Sequence, residues 1–141
     1  MARLRHIALV VKDLERSADF YCKAFEMTRS AMTEGPTARR IYLSDGEVNL
    51  ALLQYKSEEG SGLEDPIGFV GAHDFGFQVD DLGDARAAIE GAGGKFFFDL
   101  GREGEDGFER KFKDPDGIIF DINTDGWPMT SSRKRPAQAA E

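Results

Sequence analysis

The chain has 141 residues, of which 31% are charged and 40% hydrophobic, and carries a formal net charge of −8 with a pI near 4.8. That length is one domain's worth with a proper core, and the acidic balance excludes nucleic acid and anionic membrane as partners, since both demand basic patches. The lone cysteine, Cys22, excludes an intramolecular disulfide and reads as a small buried side chain on a helix.

In chain order, His6 to Val11 is a short apolar run opened by a histidine and reads as a buried strand. Asp13 follows as an N-cap, and Leu14, Ala18, Tyr21 and Phe25 recur at helical spacing, which predicts an amphipathic helix to about Phe25. After the Gly35-Pro36 break, Arg39–Leu43 and Val48–Gln54 read as a hairpin around Ser44-Asp45-Gly46. Residues 57–68 are rich in glycine, serine and acid and read as a surface linker. The pattern then restarts. Asp74 to Val79 alternates as a half-buried strand does, and Asp80, Asp81 and Leu82 introduce a helix carrying Ala85, Ala88 and Ile89. Gly91, Gly93 and Gly94 end that helix, and Lys95 to Asp99 is a strand. Residues 101–107, with Glu109 just beyond, read as an acidic, solubilising loop. Phe108–Lys113 and Ile118–Asn123 form a closing hairpin around Asp114-Pro115-Asp116-Gly117, a turn set by proline, by aspartates that bond their own backbone, and by glycine. The polar stretch 128–141, with Arg133-Lys134-Arg135 as a solvated run, reads as a disordered tail. No signal-peptide core and no apolar run near 18 residues is present, so a cytosolic location is expected.

One residue breaks the apolar pattern. Asp121 interrupts the buried run Ile118 to Ile122, and a buried carboxylate costs several kcal/mol unless it is paired, hydrogen-bonded or bound to a metal. It therefore needs a partner. Superposing Asp13-Leu14 on Asp81-Leu82 lays His6 on Asp74, and both halves then read strand, helix, strand, strand, strand. The chain is an internal duplication of a βαβββ unit: module one at about 3–56, module two at about 69–125, in a single domain 1–127.

The ordered set of His6 to Leu14, Phe20-Tyr21, Gly76 to Leu82 and Asp114 to Gly117 resembles the vicinal oxygen chelate superfamily: glyoxalase I, bleomycin-resistance proteins, extradiol dioxygenases and methylmalonyl-CoA epimerase. The resemblance implies an α+β fold in which two βαβββ modules form a paired open barrel, a cup with a metal at its base, and a homodimer. Metal-dependent members place a His on the first strand, a Glu or Gln on the fourth, a His on the fifth and a Glu on the eighth. Carried over, His6 takes the first position and Asp121 the eighth. The fourth falls near Ala51, with Asn49 two residues earlier on the same face, and the fifth falls on Asp74, with His73 as its neighbour. If Phe75, Phe77 and Val79 pack against the helix, Asp74, Gly76 and Gln78 face the cup and His73 faces out, unless a bulge re-aims it.

On this resemblance the expected function is that of a metal-dependent lyase or isomerase acting on a small carbonyl-containing, lactoylglutathione-like substrate. His6, Asp74 and Asp121 would hold a divalent nickel, zinc, manganese or iron ion, with Asp121 or Asp74 as catalytic base. Arg40, Tyr42, Gln78 and Asn49 are the expected substrate contacts, because one of Arg39 and Arg40 shares a face with Tyr42 and a cup-facing arginine suits an anion. The alternative is a metal-free small-molecule binder like the bleomycin-resistance proteins, with His6 and Asp121 simply paired to each other. An extradiol-type dioxygenase, which wants His, His and Glu, is disfavoured by Asp74.

Overall fold

The computed structural model of the chain describes residues 1–64 and 66–134. Its elements follow as β1 (Arg3–Val10), α1 (Leu14–Phe25), β2 (Thr28–Arg29), β3 (Thr33–Glu34), β4 (Ala38–Ser44), β5 (Asn49–Tyr55), β6 (Gly71–Gln78), α2 (Leu82–Gly91), β7 (Lys95–Leu100), β8 (Glu109–Lys113) and β9 (Ile119–Asn123). One short 3₁₀ turn, Glu58–Ser61, lies in the expected linker. The strands form one open mixed sheet in the order β2-β4-β5-β1-β6-β9-β8-β7, with β3 also paired to β4. This is the α+β duplication that the sequence pattern implied. β6 is displaced from β1, and α2 from α1, by the same interval that carries Asp13 onto Asp81.

Within each module the first strand runs parallel to the last, β1 beside β5 and β6 beside β9, and the two modules join through the antiparallel pair β1–β6. Both aspartates that introduce helices act as caps: Asp13 accepts from the Arg16 amide at 3.1 Å and Asp81 from the Asp84 amide at 2.8 Å. Each helix seals a small apolar core on one face of the sheet. Leu14 and Ala18 of α1 pack with Ile41, Leu43 and Leu52, while Leu82, Ala85 and Ile89 of α2 pack against Val79, Phe112 and Ile122. Strand alternation then turns the residues between these, such as Tyr42, His6, Asp74 and Asp121, to the opposite face.

Two features depart from the expected elements. The two-residue strands β2 and β3 flank β4 at the sheet's end; they are too short to carry an alternation. Residues 128–134, expected as the start of a disordered tail, instead form a strap across the open face. The Ser131 amide donates to Gly46 at 2.7 Å, the Met129 carbonyl accepts from Ser44 Oγ at 2.9 Å, the Lys134 amide donates to Asp125 at 2.8 Å, and Thr130 is buried. Hydrogen bonds to backbone and to polar side chains, not apolar packing, hold this segment. The remainder of the expected tail, 135–141, lies outside the described residues.

Gly76 sets how closely the strap approaches. A Cβ there would stand 2.6 Å from the Trp127 ring and 3.2 Å from His6 Cβ. Gly76→Ala is expected to destabilise the protein by about 1–3 kcal/mol through overpacking. Because Trp127 is the single tryptophan, its emission should shift to the red as the ring is displaced; unchanged emission and an unchanged denaturation midpoint would contradict this packing.

Candidate functional site

Sheet register assembles one polar row. Ser44 lies opposite Asn49, Asn49 beside His6, His6 beside Gly76, Gly76 beside Asp121, and Asp121 opposite Lys111. Directly paired residues point to the same side of a sheet, so the row stands on the face away from the helices. Asp74 and Glu109, two residues before Gly76 and Lys111, join the same face.

The partner that Asp121 demanded is Lys111. Its Nζ lies 2.6 Å from Asp121 Oδ1, with Asp121 fully buried and Lys111 nearly so. The other carboxylate oxygen, Oδ2, has no hydrogen-bond partner among the described residues, and neither has Asp74 Oδ1. Both face His6 Nε2, at 3.7 and 3.4 Å, and Glu109 Oε2 approaches the same nitrogen at 3.6 Å. Asp74, Asp121 and His6 are thus brought together, and the nearest ligand atoms of the three lie within 4.8 Å of one another.

The expectation that His73 faces out is corrected by a bulge. Ala8 pairs with Asp74 and Leu9 with Ala72, which leaves His73 as the unpaired extra residue. His73 is buried beside the site, with Nδ1 2.5 Å from Asp74 Oδ2 and Nε2 2.6 Å from the Ser61 carbonyl. A carbonyl only accepts, so Nε2 donates there, and His73 holds Asp74 Oδ2 away from the open centre.

Asn49 faces His6 rather than the cavity. Its Nδ2 donates to the Pro128 carbonyl at 3.2 Å, which turns Oδ1 toward His6 Nδ1 at 2.8 Å. Nδ1 therefore carries a proton in either charge state of the ring, and Nε2, which faces the two orphaned oxygens, offers a lone pair once its own proton is released. Trp127 stacks on the other side of the ring, with centroids 4.8 Å apart and planes inclined by 3°, and donates from Nε1 to Glu109 Oε2 at 2.7 Å.

Three carboxylates face one ammonium, and the titration behaviour follows. Burial opposes the charge on Asp74, but the facing His6 ring, the His73 hydrogen bond and the Lys111 charge outweigh it and hold its pKa below the usual range. Burial and the neighbouring Glu109 charge push Asp121 well above that range, against Lys111. Burial also opposes charge on Glu109, yet Lys111 and His6 keep it below its ordinary value. For Lys111 and His6, burial is outweighed by the surrounding carboxylates, Glu109 foremost for Lys111 and Asp74 for His6, and both pKa values rise. Of these two facing carboxyls, Asp121 is the one that burial and its neighbours favour in the protonated form.

Above this floor lies a cavity of about 210 Å³. His6, Asp74, Glu109 and Lys111 line its polar end, and Leu53, Phe97, Phe98 and Phe108 are among its apolar walls. Arg40 and Tyr42 are on the wall, as expected. Asn49 and Gln78 are not among the lining residues. Gln78 anchors the strap instead: its Nε2 donates to the Thr124 and Ser132 carbonyls and its Oε1 accepts from Ser132 Oγ at 2.6 Å.

One imidazole nitrogen and two carboxylate oxygens, two of these three atoms otherwise orphaned in a buried site, fit a divalent transition ion. His6, Asp74 and Asp121 would hold it. Glu109, expected as loop, and Lys111 are the functional residues that sequence reasoning missed, although their two-residue spacing on a strand that ends in the Asp114 turn carried the signal.

The family profile described as Glyoxalase/Bleomycin resistance protein/Dioxygenase superfamily matches residues 3–122. No curated protein matches the sequence. Among solved structures, a hypothetical protein from Bacillus halodurans superposes with a TM-score of 0.69 at 18% identity, covering 86% of this chain and 92% of that one. A Streptomyces coelicolor methylmalonyl-CoA epimerase in complex with 2-nitronate-propionyl-CoA gives 0.68 at 21% identity, covering 85% and 94%. The Mycobacterium tuberculosis methylmalonyl-CoA epimerase gives 0.65 at 17%, covering 84% and 85%. At these identities the likeness is one of fold.

Removing the Asn49 amide tests how His6 is held. Asn49→Leu leaves His6 Nδ1 and the Pro128 carbonyl without their partner and should cost about 1–3 kcal/mol in chemical denaturation. Nitrogen-15 spectra of the imidazole should show the Nδ1-protonated form in the wild type and lose it in the variant. An unchanged tautomer would contradict the assignment.

Proposed function

The chain belongs to the Glyoxalase/Bleomycin resistance protein/Dioxygenase superfamily, and on that premise we propose that it is a metal-dependent lyase or isomerase that moves a proton next to the carbonyl of a small substrate. The observation that carries this reading is the convergence of two unpartnered, buried carboxylate oxygens on His6 Nε2. A divalent ion held by His6, Asp74 and Asp121 would act as a Lewis acid toward a carbonyl oxygen. The epimerases among the structural neighbours support the isomerase side over ring-opening oxidation. The substrate is lactoylglutathione-like in the one respect the site addresses, an acidic C–H beside a carbonyl.

Each residue of the floor then has a task. We assign the base to Glu109 in place of Asp74 or Asp121. Its side chain is 14% exposed where those of Asp74 and Asp121 are 3% and 0%, and it lines the cavity. It stays ionised at neutral pH because its pKa is lowered. Trp127 Nε1 fixes Oε2 and leaves Oε1 to take a proton, 3.6 Å from Lys111 Nζ. Lys111 offsets one of three carboxylate charges, and the phenylalanines exclude water from the polar end.

A second reading rests on Lys111 itself. A resident ammonium bonded to Asp121 already supplies a cation, and a metal-free member would use the cavity only to bind a ligand.

Incubation in D2O with manganese, nickel or zinc distinguishes the two. The protein should exchange the C–H next to the carbonyl of small 2-oxo compounds, followed by proton NMR, and Glu109→Gln should slow exchange by about 100-fold or more while keeping its metal. Exchange that no metal accelerates, or that the variant sustains at the wild-type rate, would contradict the proposal. Metal loading has a defined pH dependence. His6 holds its proton above its ordinary pKa of 6.5, and Asp121 also holds its proton more tightly than usual. Both must release these protons to bind, so affinity should rise with pH and fall away on acidification, beginning above pH 6.5.

A further inference from the structure

The cavity wall carries an unmatched charge. Five arginines among the described residues are partly buried: Arg5, Arg40, Arg86, Arg110 and Arg133. Four of them meet a carboxylate: Arg5 with Glu47, Arg86 with Glu90, Arg110 with Asp99, and Arg133 with Asp106. Arg40 alone has no carboxylate within salt-bridge distance among the described residues, although it lines the cavity. Its one side-chain hydrogen bond there is to the Tyr42 hydroxyl at 3.5 Å, the limit of such a contact. A guanidinium presents five donors in a planar fork, so most of Arg40's donors are open to whatever enters.

That guanidinium is also seated. A Cβ at Gly35 would stand 2.6 Å from Arg40 Nη2, so the head group lies against a stretch of backbone that only glycine leaves bare. The Gly35 loop is itself closed by its amide donating to Ala38 at 2.9 Å. Arg40 shares a strand face with Tyr42, and the apolar surfaces of Leu53, Tyr55, Phe97 and Phe98 lie within the same cavity. Placing a fork for an anion beside walls that exclude water raises its selectivity for carboxylate over neutral groups.

Resting on the reading of the floor given above, we infer that the substrate is a small oxo-acid: its carbonyl is directed to the floor of His6, Asp74 and Asp121, and its carboxylate pairs with Arg40. The size agrees. A cavity of about 210 Å³ falls below the roughly 300–1,000 Å³ of sites that take drug-sized ligands, which limits the enclosed part of the ligand to a few carbons between its two polar ends. A neutral ketone fills the floor and leaves Arg40 unpaired; an acid of the same carbon frame satisfies both ends.

The test uses the manganese-loaded full chain with 4-oxopentanoate and 2-pentanone, which share a carbon skeleton and differ in the carboxylate. Binding is followed by Trp127 emission and by ligand-observed NMR, and metal content is measured in parallel. The wild type should bind 4-oxopentanoate at least about tenfold more tightly than 2-pentanone. Arg40→Gln should abolish that preference with metal content unchanged, and Arg40→Lys should restore part of it. Equal affinity for the two ligands in the wild type, or an Arg40→Gln variant that keeps the preference, would overturn the inference. A protein that takes up no manganese yet loses 4-oxopentanoate binding on Arg40→Gln would sink the metal reading and leave the anion site standing.

Discussion

The site is governed by the difficulty of burying three carboxylates within reach of one another. Asp74, Glu109 and Asp121 share one face of the sheet, and the low dielectric there amplifies their repulsion. Lys111, 2.6 Å from Asp121, offsets one charge permanently. The rest of the imbalance falls on His6 and Asp121, both of which titrate above their ordinary values. A floor so arranged is neutral in either of two states: with protons on these groups, or with a divalent cation in their place. Such a balance explains how a fold can carry so much buried acid and still be stable.

Geometry decides which groups meet the cation. Asn49 sets the His6 tautomer, His73 occupies Asp74 Oδ2, Lys111 occupies Asp121 Oδ1, and Trp127 occupies Glu109 Oε2. His6, Asp74 and Asp121 thus each have one end tied and one end free, and those free ends converge. Two of the ties depend on the strap. Pro128 orients Asn49, and Trp127 presses on His6 across the gap that Gly76 leaves. The segment after β9 is therefore part of the site, and the concave face would lose its order without it.

Much of this could be read from the residues alone. Repetition of Asp-Leu before each helix exposed the duplication, and the duplication placed His6 over Asp74, which proved to be neighbours in space. The isolated carboxylate in an apolar strand announced a partner. Hairpin register already contained that partner, since a turn at Asp114–Gly117 pairs Lys113 with Ile119 and so Lys111 with Asp121. Glu109 was disguised by the glycine and acid on its N-terminal side, although it stands in phase with Lys111. The inward position of His73 was hidden because a bulge leaves no mark in an alternating pattern, and strict alternation sends it outward. The strap was hidden for another reason: its order comes from hydrogen bonds to distant groups, among them Gly46, Ser44 and Gln78, while its composition is that of a solvated tail.

The central claim is that His6, Asp74 and Asp121 form a cation site, and metal stoichiometry tests it most directly. Protein purified without a histidine tag would be incubated with manganese, iron, nickel and zinc in turn, desalted, and measured by elemental mass spectrometry beside a His6→Ala variant of confirmed fold. The account predicts close to one divalent ion per chain in the wild type and almost none in the variant. A wild-type protein that stays empty with every metal, or a variant that binds as well as the wild type, would contradict it.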